Sequence, residues 1–477
     1  MVESFVENIA DEDLLDWHRK QITAAQKDGK LFWEHYRGEA EPDLARILSP
    51  GNRLSDVIVN MCRKFINAKN DRMQIRALII PDGTDEDQQT MEGIRRRSLL
   101  DAEFGMFNID RLVPGYGYLS VDQVNDLPRI SARSPENTSV LIDEWTGEVE
   151  SGAVIWKPAK RPGGQEKVAT ECAILYGRNT TQNFEKVDGK WAPLGNPFHH
   201  NLGVVPLVAH FNRRQSGTYQ GVSELVDLIP IVNQMSETLT NMSAVLRAHG
   251  GPWKFITGLE EKDLLDKDGN LRSRIEMYTD QLTLLGEAQA KVGQLPASSI
   301  ENFGEAMRVL TEVASGITGL PARDLGLSTS NPPSEGSIIA DEIAIVRDIE
   351  SDCVQVGVSV SQAASIAYQM ETGKQLEVPV RVEWQNPATP TIAQRTDALV
   401  KLKSAAAMSN ETIWEEMGKD EAWKAREKQR LAVERDEQLA AEAAAKHDPA
   451  IDLFTQSVIG LGARPGDDTP LLAGELI

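Results

Sequence analysis

The strongest constraint in this 477-residue sequence is a pair of helical stripes separated by a short non-helical excursion. Leu225, Leu228, Val232, Met235, Leu239, Met242 and Leu246 alternate at intervals of three and four, which predicts a helix over residues 223–247 with one apolar face. Such a helix spans about 37 Å. Ser223 is placed to cap it and Gly250-Gly251-Pro252 to stop it, while Pro230 is expected to kink or restart its first turns. The second stripe, Ile300, Phe303, Met307, Leu310, Ala314 and Ile317, opens with a Ser298/Glu301 capping box and ends at Gly319. Between the stripes, residues 251–297 read as a compact excursion with β-like runs at 253–257 and 281–285 and a turn at Asp268-Gly269.

The flanking segments are organised differently. Residues 1–50 mix acidic and apolar groups at helical spacing and predict peripheral helices, and a further helix is expected over 53–68. From 76 to 211 the rhythm shortens to β-type runs at 76–80, 139–145, 153–156 and 171–176, with turns at Thr146-Gly147 and Asp188-Gly189. After the second stripe, residues 325–336 carry two prolines and five Ser, Thr or Asn side chains, which excludes helix and central strand. A long helix follows over 337–371, about 52 Å if unbroken, with Gly357 as a place to bend. A strand is expected at 378–384, then helix to the end. Residues 411–447 interleave ten acids with seven bases, as in a solvated helix laced with ion pairs, and the last thirty residues are expected to be mobile.

Charge narrows the function. Fifty Lys and Arg against 72 Asp and Glu leave −22, which argues against a surface DNA binder that neutralises phosphates with clustered cations. No run of 18 apolar residues reads as a membrane span, and the acidic N-terminus is unlike a secretory signal. Cys62, Cys172 and Cys353 are too far apart for a zinc site and predict buried free thiols.

Walker A, GxGxxG, HExxH and GxSxG patterns are missing, so no cofactor and no catalytic residue is assigned. His199-His200 reads as a surface pair. Residues 266–270 resemble a calcium loop but put Gly at the fourth place, and read as a hairpin turn. The acidic runs Asp11-Glu12-Asp13 and Asp85-Glu86-Asp87 read as solvated charge. The rival is a cytosolic metal-dependent hydrolase or nuclease that depends on Asp85 and Asp87.

The element order is similar to tailed-phage portal proteins of the SPP1 type. Gly203-Val204-Val205-Pro206-Leu207-Val208 with Phe211-Asn212-Arg213, then Gly221-Val222-Ser223-Glu224-Leu225, resembles the wing-to-stem junction of portals from phages of actinobacteria. Ile317-Thr318-Gly319-Leu320-Pro321 and Pro333-Ser334-Glu335-Gly336-Ser337 resemble the end of the second stem helix and the tunnel loop; Glu335 departs from the family's Ser-Gly ending.

The resemblance implies a mainly helical α+β subunit of a dodecameric ring at one capsid vertex. Its regions would be a wing (1–220 with 337–389), stem helices (221–250 and 299–324), a clip (251–298), a tunnel loop (325–336), a crown (390–447) and a flexible tail (448–477). Double-stranded DNA would pass through the centre, met by Ser328, Thr329, Ser330, Asn331 and Ser334, which offer exchangeable hydrogen bonds but no cation. The clip, through Asp266, Asp268, Arg272 and Arg274, would dock the terminase large subunit and later head-completion proteins. Major capsid and scaffolding proteins would be further partners, with assembly in the host cytoplasm. A different capsid-vertex adaptor is the other alternative; it need not contain the helix, excursion, helix order.

Overall fold

The computed structural model describes residues 9–40, 57–158, 170–249, 253–257, 291–295, 300–327, 335–388, 392–405, 408–417 and 421–446. The chain divides into two compact units, residues 1–389 and 390–477. The first mixes helices and antiparallel sheets, and the described part of the second is helical, so the fold is α+β.

The acidic runs explain themselves as helix starts. Asp11, Glu12 and Asp13 fill the first turn of α1 (Asp11–Arg37), where carboxylates meet the positive end of the helix dipole. Asp85, Glu86 and Asp87 do the same for α3 (Asp85–Ser98). There Thr84 and Asp87 cap each other: the Thr84 N–H donates to Asp87 Oδ2 (2.9 Å) and the Asp87 N–H to Thr84 Oγ1 (3.2 Å). A hydrogen bond from the Tyr368 hydroxyl, then those from Thr84, hold the Asp87 carboxyl down at about 2. Asp87 is thereby committed to structure.

Several sequence expectations are corrected. α1 is no peripheral helix: Leu14, Leu15 and Ile22 are buried against a sheet and Trp33 joins the main core. The helix expected from 53 is α2 (Met61–Arg72), which starts late because the Asn60 side chain accepts from the Arg63 N–H and caps it there. Between the β-type runs expected at 76–80 and 139–145 lie two helices not expected from the sequence, α3 and α4 (Leu100–Leu112), whose Met91, Ile94, Phe104 and Phe107 face the core. Cys62 and Cys353 are buried free thiols, whereas Cys172 is only half-buried.

Four sheets are present among the described residues. β1 (Ile75–Ile79) pairs antiparallel with β13 (Arg381–Trp384). β2 (Tyr116–Val124) lies between β3 (Leu127–Arg133) and β10 (Leu207–Phe211). The third follows the order β4 (Thr138–Ile142), β5 (Val149–Trp156), β6 (Glu171–Tyr176), β7 (Thr180–Val187) and β8 (Lys190–Pro193), with β9 (Phe198–His199) also on β7. One of its faces buries Ala153, Ile155, Ala173 and Phe184 under α1, and the other packs Val154 and Tyr176 on Tyr118 and Leu207. His18 on α1 sits between Ser139 Oγ (2.7 Å) and Ser151 Oγ (2.8 Å), and burial holds its pKa at about 3, so it is a neutral strut.

The helical hairpin consists of α5 (Ile229–His249) and α6 (Glu301–Thr318). α5 starts at Ile229 rather than Ser223, which puts Pro230 in the first turn, where its missing N–H costs nothing and no kink is needed. α6 begins at Glu301 after Ile300 and ends on Gly319 in the left-handed conformation. In the excursion, β11 (Trp253–Thr257) pairs with β12 (Lys291–Leu295). That partner lies ten residues after the expected 281–285, which are outside the described residues together with Ser298 and the Asp268-Gly269 turn. α7 (Glu335–Thr372) is continuous and takes in Glu335 and Gly336, two residues expected from the sequence to lie outside the helix; Gly357 packs on the Trp384 indole. The second unit holds α8 (Ile392–Ser404), α9 (Asn410–Glu416) and α10 (Glu421–Lys446), with ion pairs such as Lys428–Glu411 at 2.7 Å.

Candidate functional site

The residues leading into the hairpin converge on a buried charged junction. β10 delivers Asn212, whose Nδ2 donates to the Val222 carbonyl (3.0 Å) and to Glu224 Oε1 (2.8 Å), while its Oδ1 accepts from Arg111 Nη1 (2.7 Å). The chain after β10 passes so close that a Cβ on Gly221 would lie 1.7 Å from the Gly115 carbonyl oxygen, so only glycine fits. Ser223 donates to the Val113 carbonyl and accepts from the Leu225 N–H (3.0 Å), which sets the direction of the chain into α5.

Lys69, on α2, lies at the centre and is 0% exposed. Its Nζ reaches Glu224 at 3.1 Å, Asp348 at 2.8 Å and Asp352 at 2.7 Å, the last two one turn apart on α7. Arg111, on α4, approaches Asp352 at 3.6 Å and donates to Asn108 Oδ1 (2.8 Å). Arg213 closes the outer edge on Glu224 (2.7 Å) and Asp348 (3.6 Å). Three cations thus face three carboxylates, the balance that makes a buried cluster tolerable. Burial opposes charge on Lys69, but Glu224, Asp352 and Asp348 outweigh it and hold its pKa above the ordinary lysine value. Burial likewise works against the Asp352 carboxylate, yet Arg111 and Lys69 hold it below the usual range. Burial, and then the Arg111 charge, push His210 down to about 3; neutral, it hydrogen-bonds Ser359 of α7 at 3.0 Å.

The junction therefore welds α2, α4, the β10 turn, the lead into α5, and α7 under the base of the hairpin. Above it, α6 presents three faces. Thr311, Ala314 and Thr318 are buried, and the chain packs Gly319 on Ala344 and Ile345 of α7. Glu301, Glu305, Arg308 and Glu312 make an exposed charged stripe, with Arg308 bridging Glu305 and Glu312 at 2.5 Å each. Between these runs a ridge of Val309, Val313 and Ile317 at i, i+4 spacing, each more than 40% exposed. α7 carries a second such pair, Val354 (74% exposed) and Val358 (67%).

The sequence motifs Phe211-Asn212-Arg213 and Gly221-Val222-Ser223-Glu224 are thus brought together, but Lys69, Arg111, Asp348 and Asp352 were not singled out from sequence. A usable signal existed: Lys69 continues the buried Cys62, Phe65, Ile66 stripe, and Asp352 adjoins the Ile345, Ile349, Cys353 stripe. Ser328, Thr329, Ser330, Asn331 and Ser334 lie outside the described residues, as do Asp266, Asp268, Arg272 and Arg274. Among the described residues no three His, Cys, Asp or Glu side chains converge to hold a metal, and no helix is long and apolar enough to cross a membrane.

Comparison with known proteins agrees with the resemblance read from the sequence. The chain is 24% identical over 395 residues to the portal protein of Mycobacterium phage L5, covering 79% of each chain. It is also 24% identical over 385 residues to that of Mycobacterium phage D29, covering 77% of each. Similar solved structures include a chain of the virion of a native gene transfer agent particle (TM-score 0.43, 12% identity, 84% of this chain and 94% of that one). Another comes from the neck of the native particle computed with C12 symmetry (TM-score 0.44, 13% identity, 80% and 97%). The family model for phage portal proteins of the SPP1 Gp6-like type matches residues 49–440, most of the chain, and the protein belongs to that family.

Proposed function

We infer that twelve copies of this chain close into a ring at one capsid vertex and form the conduit for packaging and ejection of double-stranded DNA. The observation that carries this reading is the three-faced α6. A helix that buries one face in its own subunit yet leaves a β-branched ridge beside a charged stripe is suited to a neighbour on its flank and solvent or a polyanion beyond. The ridge on α7 supplies the second, different patch that head-to-tail ring contacts require.

In this reading residues 1–220 with 337–389 are the wing, 221–250 and 299–324 the stem, 251–298 the clip, 325–336 the tunnel loop, 390–447 the crown and 448–477 a flexible tail. A net charge of −22 per copy favours sliding, because a cationic lining would bind phosphates by counterion release and act as a brake. Ser328, Thr329, Ser330, Asn331 and Ser334 touch the passing duplex through neutral, exchangeable hydrogen bonds. Asp266, Asp268, Arg272 and Arg274 dock the terminase large subunit and then head-completion proteins, while capsid and scaffolding proteins surround the wing. Assembly takes place in the host cytoplasm and the ring stays in the virion. The role is structural. The hydrolase alternative loses support because Asp85 and Asp87 serve as a helix start and its cap.

Deleting residues 328–334 tests the conduit directly. Rings are expected to assemble, with impaired packaging or retention of DNA; particles that fill normally would remove the loop's role.

A further inference from the structure

We propose that Trp145, at the tip of the β4–β5 hairpin, inserts into a cleft beside the far end of β5 in the next copy, so that each subunit gives one such contact and receives one. The tip is built to hold this indole outward. Asp143 Oδ1 accepts from the Trp145 N–H (2.8 Å), Asp143 Oδ2 accepts from Thr146 Oγ1 (2.9 Å), and the Gly147 N–H donates to the Asp143 carbonyl (2.7 Å). Gly147 has φ +78°, and a Cβ there would lie 2.7 Å from the Tyr219 hydroxyl, so the turn rests on Tyr219, itself packed edge-on against Phe211. Despite this bracing Trp145 is 93% exposed, against 38% for Trp156, 9% for Trp33 and 8% for Trp191. A large apolar ring held rigidly in water has the character of an interface anchor.

The same chain carries a matching recess. Between α1 and the sheet lies a cleft of about 500 Å³ lined by the apolar Ile22, Ile155 and Trp156 and by two cations and two anions, Arg19, Lys157, Glu136 and Glu171, of which Glu136 is paired with Arg37 (3.0 Å). Arg19 pairs with Glu171 (3.0 Å), but Lys157 makes no ion pair among the described residues; neither does Glu144, the residue preceding Trp145. Knob with anion and slot with cation stand at opposite ends of the eight-residue strand β5, roughly 25 Å apart, so a subunit cannot fill its own slot. A head-to-tail contact between copies satisfies both. The inference rests on the ring reading and adds the contact that would join sheet to sheet around it.

Hydroxyl-radical oxidation read by mass spectrometry compares the Trp145 and Trp156 peptides in assembled rings and in dissociated subunits. Both indoles are expected to be oxidised several-fold more slowly in rings. Trp145→Ala is expected to leave subunit melting unchanged and to weaken subunit association roughly thirtyfold. Glu144→Lys and Lys157→Glu should each weaken assembly, and the double exchange should restore it. Rings in which Trp145 reacts as fast as in free subunits, or a double exchange no better than the single ones, overturn the contact while leaving the ring reading intact. Protection only inside complete capsids assigns Trp145 to another protein and overturns it as well. A chain that never forms rings removes the ring reading first, and this contact with it.

Discussion

Replacing Lys69 with methionine removes the cation at the centre of the junction while keeping most of the side-chain volume. Lys69 and Glu224 are fully buried and Asp352 nearly so, whereas Asp348 is 38% exposed and solvent meets part of its charge. Breaking a buried pair costs about 3–5 kcal/mol. Glu224 keeps Arg213 and Asn212, and Asp352 keeps Arg111, so the expected loss is near the lower end, about 3 kcal/mol, a large share of the roughly 5–15 kcal/mol of a folded domain.

The loss should depend on pH. The Lys69 pKa is raised by its partners, so its contribution is complete below about 10.4 and fades only as pH rises through the raised value. The Asp352 pKa is lowered, so its contribution is present above about 3.9 and fades as pH falls through the lowered value. Without Lys69 the orphaned carboxylates take up protons more readily, and the deficit of Lys69→Met should be smaller at pH 5 than at pH 8. Adding Glu224→Gln rebalances two cations against two anions and should recover about 1–2 kcal/mol relative to the sum of the single changes. Pulse proteolysis of dissociated subunits in urea measures all of these. A Lys69→Met variant within 1 kcal/mol of the parent, or a deficit independent of pH, refutes the electrostatic account.

Three further outcomes follow from the geometry. Gly221→Ala places a methyl 1.7 Å from the Gly115 carbonyl oxygen and is expected to cost more than about 3 kcal/mol; a soluble variant with the parent's melting temperature contradicts it. Asp110 has its pKa raised to about 7, first by burial and then by the Glu136 charge, so the folded state binds the proton more tightly and stability falls as pH rises from about 4 to 7. Asp110→Asn should therefore stabilise at pH 8, by at most about 4 kcal/mol, and do nothing at pH 4, read as shifts in urea midpoint. Val313→Asp should leave subunit stability within about 0.5 kcal/mol, since the site is exposed, and abolish rings in gel filtration.

What the sequence disclosed depended on how local the cause was. α7 was legible because Ile345, Ile349, Cys353, Val356 and Val360 repeat along one helix, and the end of α6 because Gly319 takes the left-handed conformation that stops it. α3 and α4 were hidden: Arg95, Arg96 and Arg97 crowd the end of α3, and the two helices meet at Leu99, which adopts φ 51° without the glycine that usually marks such a break. The start of α5 was misplaced because the stripe extends back over Leu225 and Leu228, which are buried in the preceding turns without being helical. The junction was half legible. Asn212 and Glu224 stand twelve residues apart within conspicuous motifs, but Lys69 and Asp352 meet only through tertiary packing, and no spacing along one element announces such a pair.

The mass of the purified protein in solution, taken together with negative-stain images, tests the central claim most directly. The account predicts rings with an axial hole and a mass near 630 kDa, twelve copies of a 52.6 kDa chain. A chain that stays monomeric at every concentration, and also when capsid and scaffolding proteins are supplied, would contradict it.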